Sequence, residues 1–173
     1  MGFLDFSRKR SESEIKIQKA TIFLNEGNLA EAKKILEQIN KFDPDNMEVH
    51  FLLGIYYIKK ENYRSGITHL LRIIDAPSTI YLPQAVKVLV YSYIKIKNYD
   101  IAKHLILEAL EKYYKDVQLL NMLAYLYYDE GNFKDCLQVY RDVLKLDPEN
   151  ATALNGLGYC LIDNLSRYEE GLK

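Results

Sequence analysis

The chain has 173 residues, 49% of them hydrophobic and 27% charged, and its 23 Lys plus Arg nearly cancel its 24 Asp plus Glu, for a net charge of -1. That length suits one domain of ordinary size; the balance excludes a disordered chain and a dedicated nucleic-acid binder, which needs concentrated positive charge. Gly (8) and Pro (4) are scarce, so long helical elements are expected, and the longest uncharged stretch, the 13 residues from Asn150 to Ile162, is too short to cross a bilayer.

At the N-terminus, Phe3, Leu4 and Phe6 precede Arg8, Lys9 and Arg10. A secretory signal has the reverse order, and Phe6 stands where myristoylation needs Ser or Thr. Residues 1–10 are therefore expected to be a frayed tail and the chain to be cytoplasmic. Ser11-x-x-Glu14 reads as a capping box that starts a helical array over residues 11–173. Along that array a turn recurs: Gly27-Asn28-Leu29, Glu61-Asn62-Tyr63, Lys97-Asn98-Tyr99 and Gly131-Asn132-Phe133, at separations of 34, 36 and 34. Each triplet divides two apolar runs of helical period. Asp43-Pro44-Asp45-Asn46 and Asp147-Pro148-Glu149-Asn150 close units and offer N-caps, and Ala76-Pro77-Ser78-Thr79 carries the extra two residues.

The units run over residues of about 13–46, 47–82, 83–116 and 117–150, with a partial fifth at 151–173. First helices carry an i, i+3, i+4, i+7 stripe: His50, Leu53, Gly54 and Tyr57; Val86, Leu89, Val90 and Tyr93; Leu120, Leu123, Ala124 and Tyr127; Leu154, Leu157, Gly158 and Leu161. Second helices place a small residue four before a large one: Ala32 and Leu36, Gly66 and Leu70, Ala102 and Ile106, Cys136 and Tyr140. Lys16 and Lys19 interrupt the first unit's stripe, as suits a terminal repeat facing water. The last residues, Arg167-Tyr-Glu-Glu-Gly171-Leu-Lys, read as the opening of a second helix, which suggests a fragment of a longer protein.

In these features the chain resembles the tetratricopeptide repeat (TPR) family, whose 34-residue helix-turn-helix unit has the pattern W-x2-L-G-x2-Y, A-x3-F and a closing Pro. No unit has the Trp, and the third lacks the closing Pro. The resemblance implies an all-α, right-handed superhelical solenoid of four repeats plus the partial fifth. It also implies that first helices line a concave face.

Chemistry of the catalytic kind is not apparent. His50 falls on a core stripe, and His69 and His104 lie on separate second helices without an i, i+4 ligand partner. Cys136 and Cys160 lack C-x-x-C spacing and read as buried, reduced thiols. No Gly-rich phosphate loop or G-x-S-x-G elbow occurs, so no enzyme, metal or other cofactor is expected.

Fifteen tyrosines remain to be explained. Tyr91, Tyr125 and Tyr159 stand 34 apart, each just after a packing position, with Ile55 as their equivalent in the second unit. Four residues earlier come Phe51, Lys87, Asn121 and Asn155, on the same helical face. In the resembled fold this face lines the concave groove, and aromatic rings with amides suit a peptide or helix of a partner protein. Lys59 and Lys95, then Asp129 and Asp163, follow one turn later and suggest a polarity for the bound segment. The expected function is a non-catalytic interaction scaffold or adaptor. Alternatives are a recruiting module whose enzymatic or membrane-associated part follows residue 173, and self-association through the exposed C-terminal helix; RNA binding is disfavoured by the charge.

Overall fold

The computed structural model describes residues 2–76, 79–112 and 115–171, with side chains between 12 and 165 in those spans. Among the described residues every regular element is an α-helix: α1 (Gly2–Asn25), α2 (Leu29–Phe42), α3 (Met47–Lys59), α4 (Tyr63–Ile74), α5 (Leu82–Lys95), α6 (Tyr99–Lys112), α7 (Val117–Asp129), α8 (Phe133–Leu146) and α9 (Ala151–Gly171). The chain divides into two compact units, Met1–Ser92 and Tyr93–Lys173. In the first, α1 packs on α2 and α3, α2 on α3, and α3 on α4. In the second, α6 packs on α7, α7 on α8 and α9, and α8 on α9.

The recurring triplets act as reversal points for a local reason. Gly27, Glu61, Lys97 and Gly131 all take left-handed backbone, with φ of 79°, 56°, 59° and 73°. A left-handed residue ends a helix and redirects the chain. At two of the turns the next Asn then caps the following helix, Asn62 Oδ1 accepting the Ser65 N–H at 3.2 Å and Asn132 Oδ1 that of Asp135 at 3.4 Å, whereas Asn28 makes no side-chain cap. Between hairpins Asn46 accepts the Val49 N–H at 3.1 Å, Asp116 those of Gln118 and Leu119, and Asn150 that of Ala153 at 2.9 Å. Each such cap is worth about 1 kcal/mol.

Packing inside a hairpin follows one rule on both arms. A Cβ on Gly54 of α3 would come within 2.9 Å of the Leu70 side chain, and one on Gly66 of α4 within 3.0 Å of Ile58. The small residue of each helix thus receives the large residue of the other, so the axes approach closely. The same pairing of types, small then large four later, stands on both helices of the outer hairpins. Ala20 and Leu24 face Ala32 and Leu36 in a core that also takes in Leu53 and Tyr56. Ala124, Cys136 and Tyr140 belong to the core of the second unit.

Three expectations are corrected. Helix α1 begins at Gly2 and passes through Ser11, so Ser11 is not at a helix start; the side chains of residues 1–11 lie outside the described residues. In α9 the sequence points to Leu154, Leu157, Gly158 and Leu161 as core, but Ala153 and Cys160 are the buried positions, and Leu154 and Leu161 are exposed. Gly156 is the glycine that packing requires there, because a Cβ would overlap the Tyr140 ring. The stripe read from the sequence is the face for the helix's own hairpin partner, and α9 instead continues unbroken to Gly171, past Arg167. The third correction concerns the cysteines: Cys136 of α8 and Cys160 of α9 are joined as a disulfide, with Cα atoms 7.0 Å apart. Both are wholly buried, and helix-face reading assigned them to separate elements without bringing the elements together.

Candidate functional site

The outward faces of the first helices hold the residues singled out by the tyrosine register, and each unit carries its own set. In the first unit Phe51 and Ile55 sit half-buried on α3, with Lys87 half-buried and Tyr91 exposed on α5. The Phe51 ring stacks on Tyr81 with centroids 5.6 Å apart. Burial, together with a hydrogen bond donated to the Glu48 carboxylate, pushes the Tyr81 phenol up to about 12. Tyr91 meets the edge of Tyr63 at 6.3 Å. Aromatic contacts therefore fix the orientation of this face at both ends.

In the second unit Asn121 and Tyr125 lie on α7, and Asn155 and Tyr159 on α9. Tyr125 and Tyr159 are 42% and 65% exposed, against 38% for Tyr91. Asn155 is exposed. Asn121 is half-buried and donates from Nδ2 to Asn150 Oδ1 at 3.1 Å, the same oxygen that caps α9. Its own Oδ1 is buried without a hydrogen-bond partner. Asn121 thus holds the start of α9, a positioning role that its place in the ladder did not suggest.

The acidic half of the flanking charge row is also engaged. Tyr128 donates to Asp163 Oδ2, and Tyr99 to Asp129. These carboxylates tie helices of the second unit. Lys103 bonds Glu130 at 2.9 Å while lying 4.5 Å from the centre of the Tyr127 ring.

A histidine pair was missed by reading each helix separately. His50 Nδ1 lies 3.0 Å from His69 Nδ1, and His50 Nε2 lies 2.8 Å from the Pro44 carbonyl oxygen. A carbonyl only accepts, so His50 Nε2 carries hydrogen; in the neutral pair His50 Nδ1 accepts and His69 Nδ1–H donates. His69 also stacks on Tyr57 with centroids 5.5 Å apart. Burial, then His50 and Arg72, push His69 down to about 4, against the opposing pull of Glu37. The position of both residues on the two arms of one hairpin is the only signal that could have found them. Among the described residues, no group of three or more His, Cys, Asp or Glu is placed to hold a metal ion.

With this geometry in place, the likeness to known proteins is specific. Models of the tetratricopeptide repeat match residues 13–46 and 88–135, and a TPR repeat model matches residues 124–162. The chain belongs to the tetratricopeptide repeat family, a family of protein-interaction scaffolds. None of the curated proteins matches it significantly in sequence. Among solved structures it is similar to MamA of AMB-1, with TM-score 0.70 and 22% identity over 94% of this chain and 87% of that one. YrrB, described as a TPR protein with an unusual peptide-binding site, gives 0.73 and 17% identity over 96% and 86%. The APC/C hetero-tetramer Cut9-Hcn1 gives 0.76 and 18% identity over 86% of this chain and 30% of that one. At such identities the likeness defines the fold, an all-helical TPR solenoid. No helix among the described residues is long and apolar enough to cross a membrane.

Proposed function

We propose that this TPR array is a non-catalytic scaffold that binds a peptide or helix of a partner protein on the outward faces of its first helices. The observation that carries the reading is the ladder itself: Tyr91, Tyr125 and Tyr159 recur in one register, and all three keep more than a third of their surface in water. Tyr offers a large, rigid, amphipathic contact at low entropic cost. Phe51 and Ile55 extend the apolar part of this surface in the first unit, Lys87 adds a cation, and Asn155 adds an amide in the second. Of the side chains that would otherwise suggest catalysis, His50 and His69 bond each other and the cysteines form a disulfide.

The test is a peptide-library selection on the folded chain, followed by calorimetric titration of the selected peptides. A Tyr91→Ala, Tyr125→Ala, Tyr159→Ala variant, shown by circular dichroism to keep its helicity, should bind at least about tenfold more weakly, the loss of about 1.4 kcal/mol. Titrating Tyr91→Ala against the Tyr125→Ala, Tyr159→Ala pair then assigns the affinity to one unit or the other. Unchanged affinity in the triple variant would overturn the reading.

A further inference from the structure

We propose that the first unit's share of the ladder seats an acidic segment of the partner, an apolar side chain packing on Phe51, Ile55 and Tyr91 while an Asp or Glu beside it meets Lys59 or Lys87. This rests on the peptide-binding reading given above and deepens it, adding the chemistry of the occupant and the unit that holds it.

Two strips of residues build the face. On α3, Glu48, Phe51, Ile55 and Lys59 follow one another at steps of three or four residues, and on α5 Lys87 precedes Tyr91 by four, so each strip runs along one side of its helix. The middle of the face is apolar. Phe51 is backed by the stacked ring of Tyr81, Ile55 is half-buried, and Tyr91 keeps 38% of its surface in water with the edge of Tyr63 against its ring. Rings already held by their neighbours receive an anchoring side chain at small entropic cost.

Charge selects the occupant. The acidic and basic side chains of α3, and of α5 as far as Ser92, where the unit ends, are Glu48, Lys59 and Lys87. Glu48 accepts a hydrogen bond from the Tyr81 hydroxyl, so its carboxylate serves the face from within. The two ammonium groups leave the face net positive, one on each strip and each one turn from an apolar member. Lys59 is exposed and Lys87 half-buried. On α7 and α9 of the second unit the sign reverses: Asp129 and Asp163 stand in the register of Lys59, and residues 117–129 and 151–166 contain no Lys or Arg. A segment rich in carboxylates is attracted to the first face and repelled by the second, which assigns it to the first unit.

The test selects three peptide libraries on the folded chain, each random except for a central apolar position flanked by Glu, by Gln or by Lys. The best binders and their flank-exchanged counterparts are then titrated calorimetrically at two salt concentrations. Glu peptides should bind at least about tenfold more tightly than their Gln counterparts, a difference of about 1.4 kcal/mol, and added salt should narrow the gap. A Lys59→Glu, Lys87→Glu variant, shown by circular dichroism to keep its helicity, should lose the preference for Glu and favour Lys; Lys59→Glu alone, at an exposed position, should act in the same direction. Tyr91→Ala should weaken the Glu peptides, and the Tyr125→Ala, Tyr159→Ala pair should leave them unchanged. Equal affinity for Glu and Gln peptides overturns the proposal, as does a Glu preference that survives charge reversal or binding that is lost with the Tyr125, Tyr159 pair. In those outcomes the ladder still stands as a peptide site if the triple tyrosine variant binds more weakly. If no library yields a binder, or the triple variant binds as the wild type does, the ladder reading falls and this proposal with it.

Discussion

Helices α3 and α9 stand at equivalent places in their repeats and have opposite surroundings. In α3, Gly54 is closed over by Leu70 and the Gly66 carbonyl, and His50 and Leu53 are buried. In α9 the matching Gly158 looks into open space, and Leu154, at the place of His50, is half in water. The comparison teaches that the repeat writes the small-and-large motif into both helices, Gly54 with Ile58 and Gly158 with Ile162. Whether the motif becomes core depends on a second helix arriving to meet it.

Substitution at the two glycines should give the largest contrast. Gly54→Leu forces a side chain into the Leu70 contact and should cost about 2–3 kcal/mol by urea unfolding at a concentration below any association. The same change at Gly158 meets nothing and gains helix propensity, so it should stabilise the chain by about 0.5–1 kcal/mol. Equal effects at both sites would erase the distinction between a closed and an open face.

Next in size is the tie that holds α9 to α8. The Cys136–Cys160 bridge spans 24 residues, and a loop of that length makes reduction cost about 3.5 kcal/mol in a chain-entropy model. Adding dithiothreitol should lower the urea midpoint by the matching amount, and a Cys136→Ser variant should be insensitive to it.

The hairpin of α3 and α4 has instead a tie that responds to acid. His69 is held at about 4 when folded, below the ordinary histidine value of 6.5, so the unfolded chain binds the additional proton between those two pH values. Stability is therefore full above about pH 6.5 and declines as the pH falls toward about 4. Since His69 is only half-buried, solvent screening reduces the loss to on the order of 1–2 kcal/mol. A His69→Gln variant should flatten this part of the stability profile.

The smallest expected effect sharpens the turns. Glu61 and Lys97 occupy the left-handed position that Gly27 and Gly131 take without strain. Glu61→Gly should raise stability by about 0.5–1 kcal/mol, the strain relieved less the entropy glycine loses on folding. The same exchange one residue later, at Asn62, should destabilise, because it removes the cap on Ser65.

The repeating turns, their caps and the alternation of first and second helices were legible because they depend on contacts within a few residues. Left-handed turn positions, Asn and Asp caps and the 3.6-residue period are all local, and a 34-residue spacing makes them audible above noise. Tyr91, Tyr125 and Tyr159 stand in the same register of their helices, and all three are exposed. Asn121 did not follow, because its amide is taken by Asn150, a residue 29 positions away that no helical period connects to it.

By itself, then, the chain's order of residues determined which segments are helical, where they reverse and which faces are apolar, since each rests on short-range sterics and periodic burial. Only the tertiary structure decided which apolar face closes. It placed His50 against His69, joined Cys136 to Cys160, made Gly156 rather than Gly158 the packing glycine of α9, and left Gly158 and Ile162 facing outward. Those outcomes depend on side chains brought together from separate helices, and the periodicity of one helix carries no record of what another will set against it.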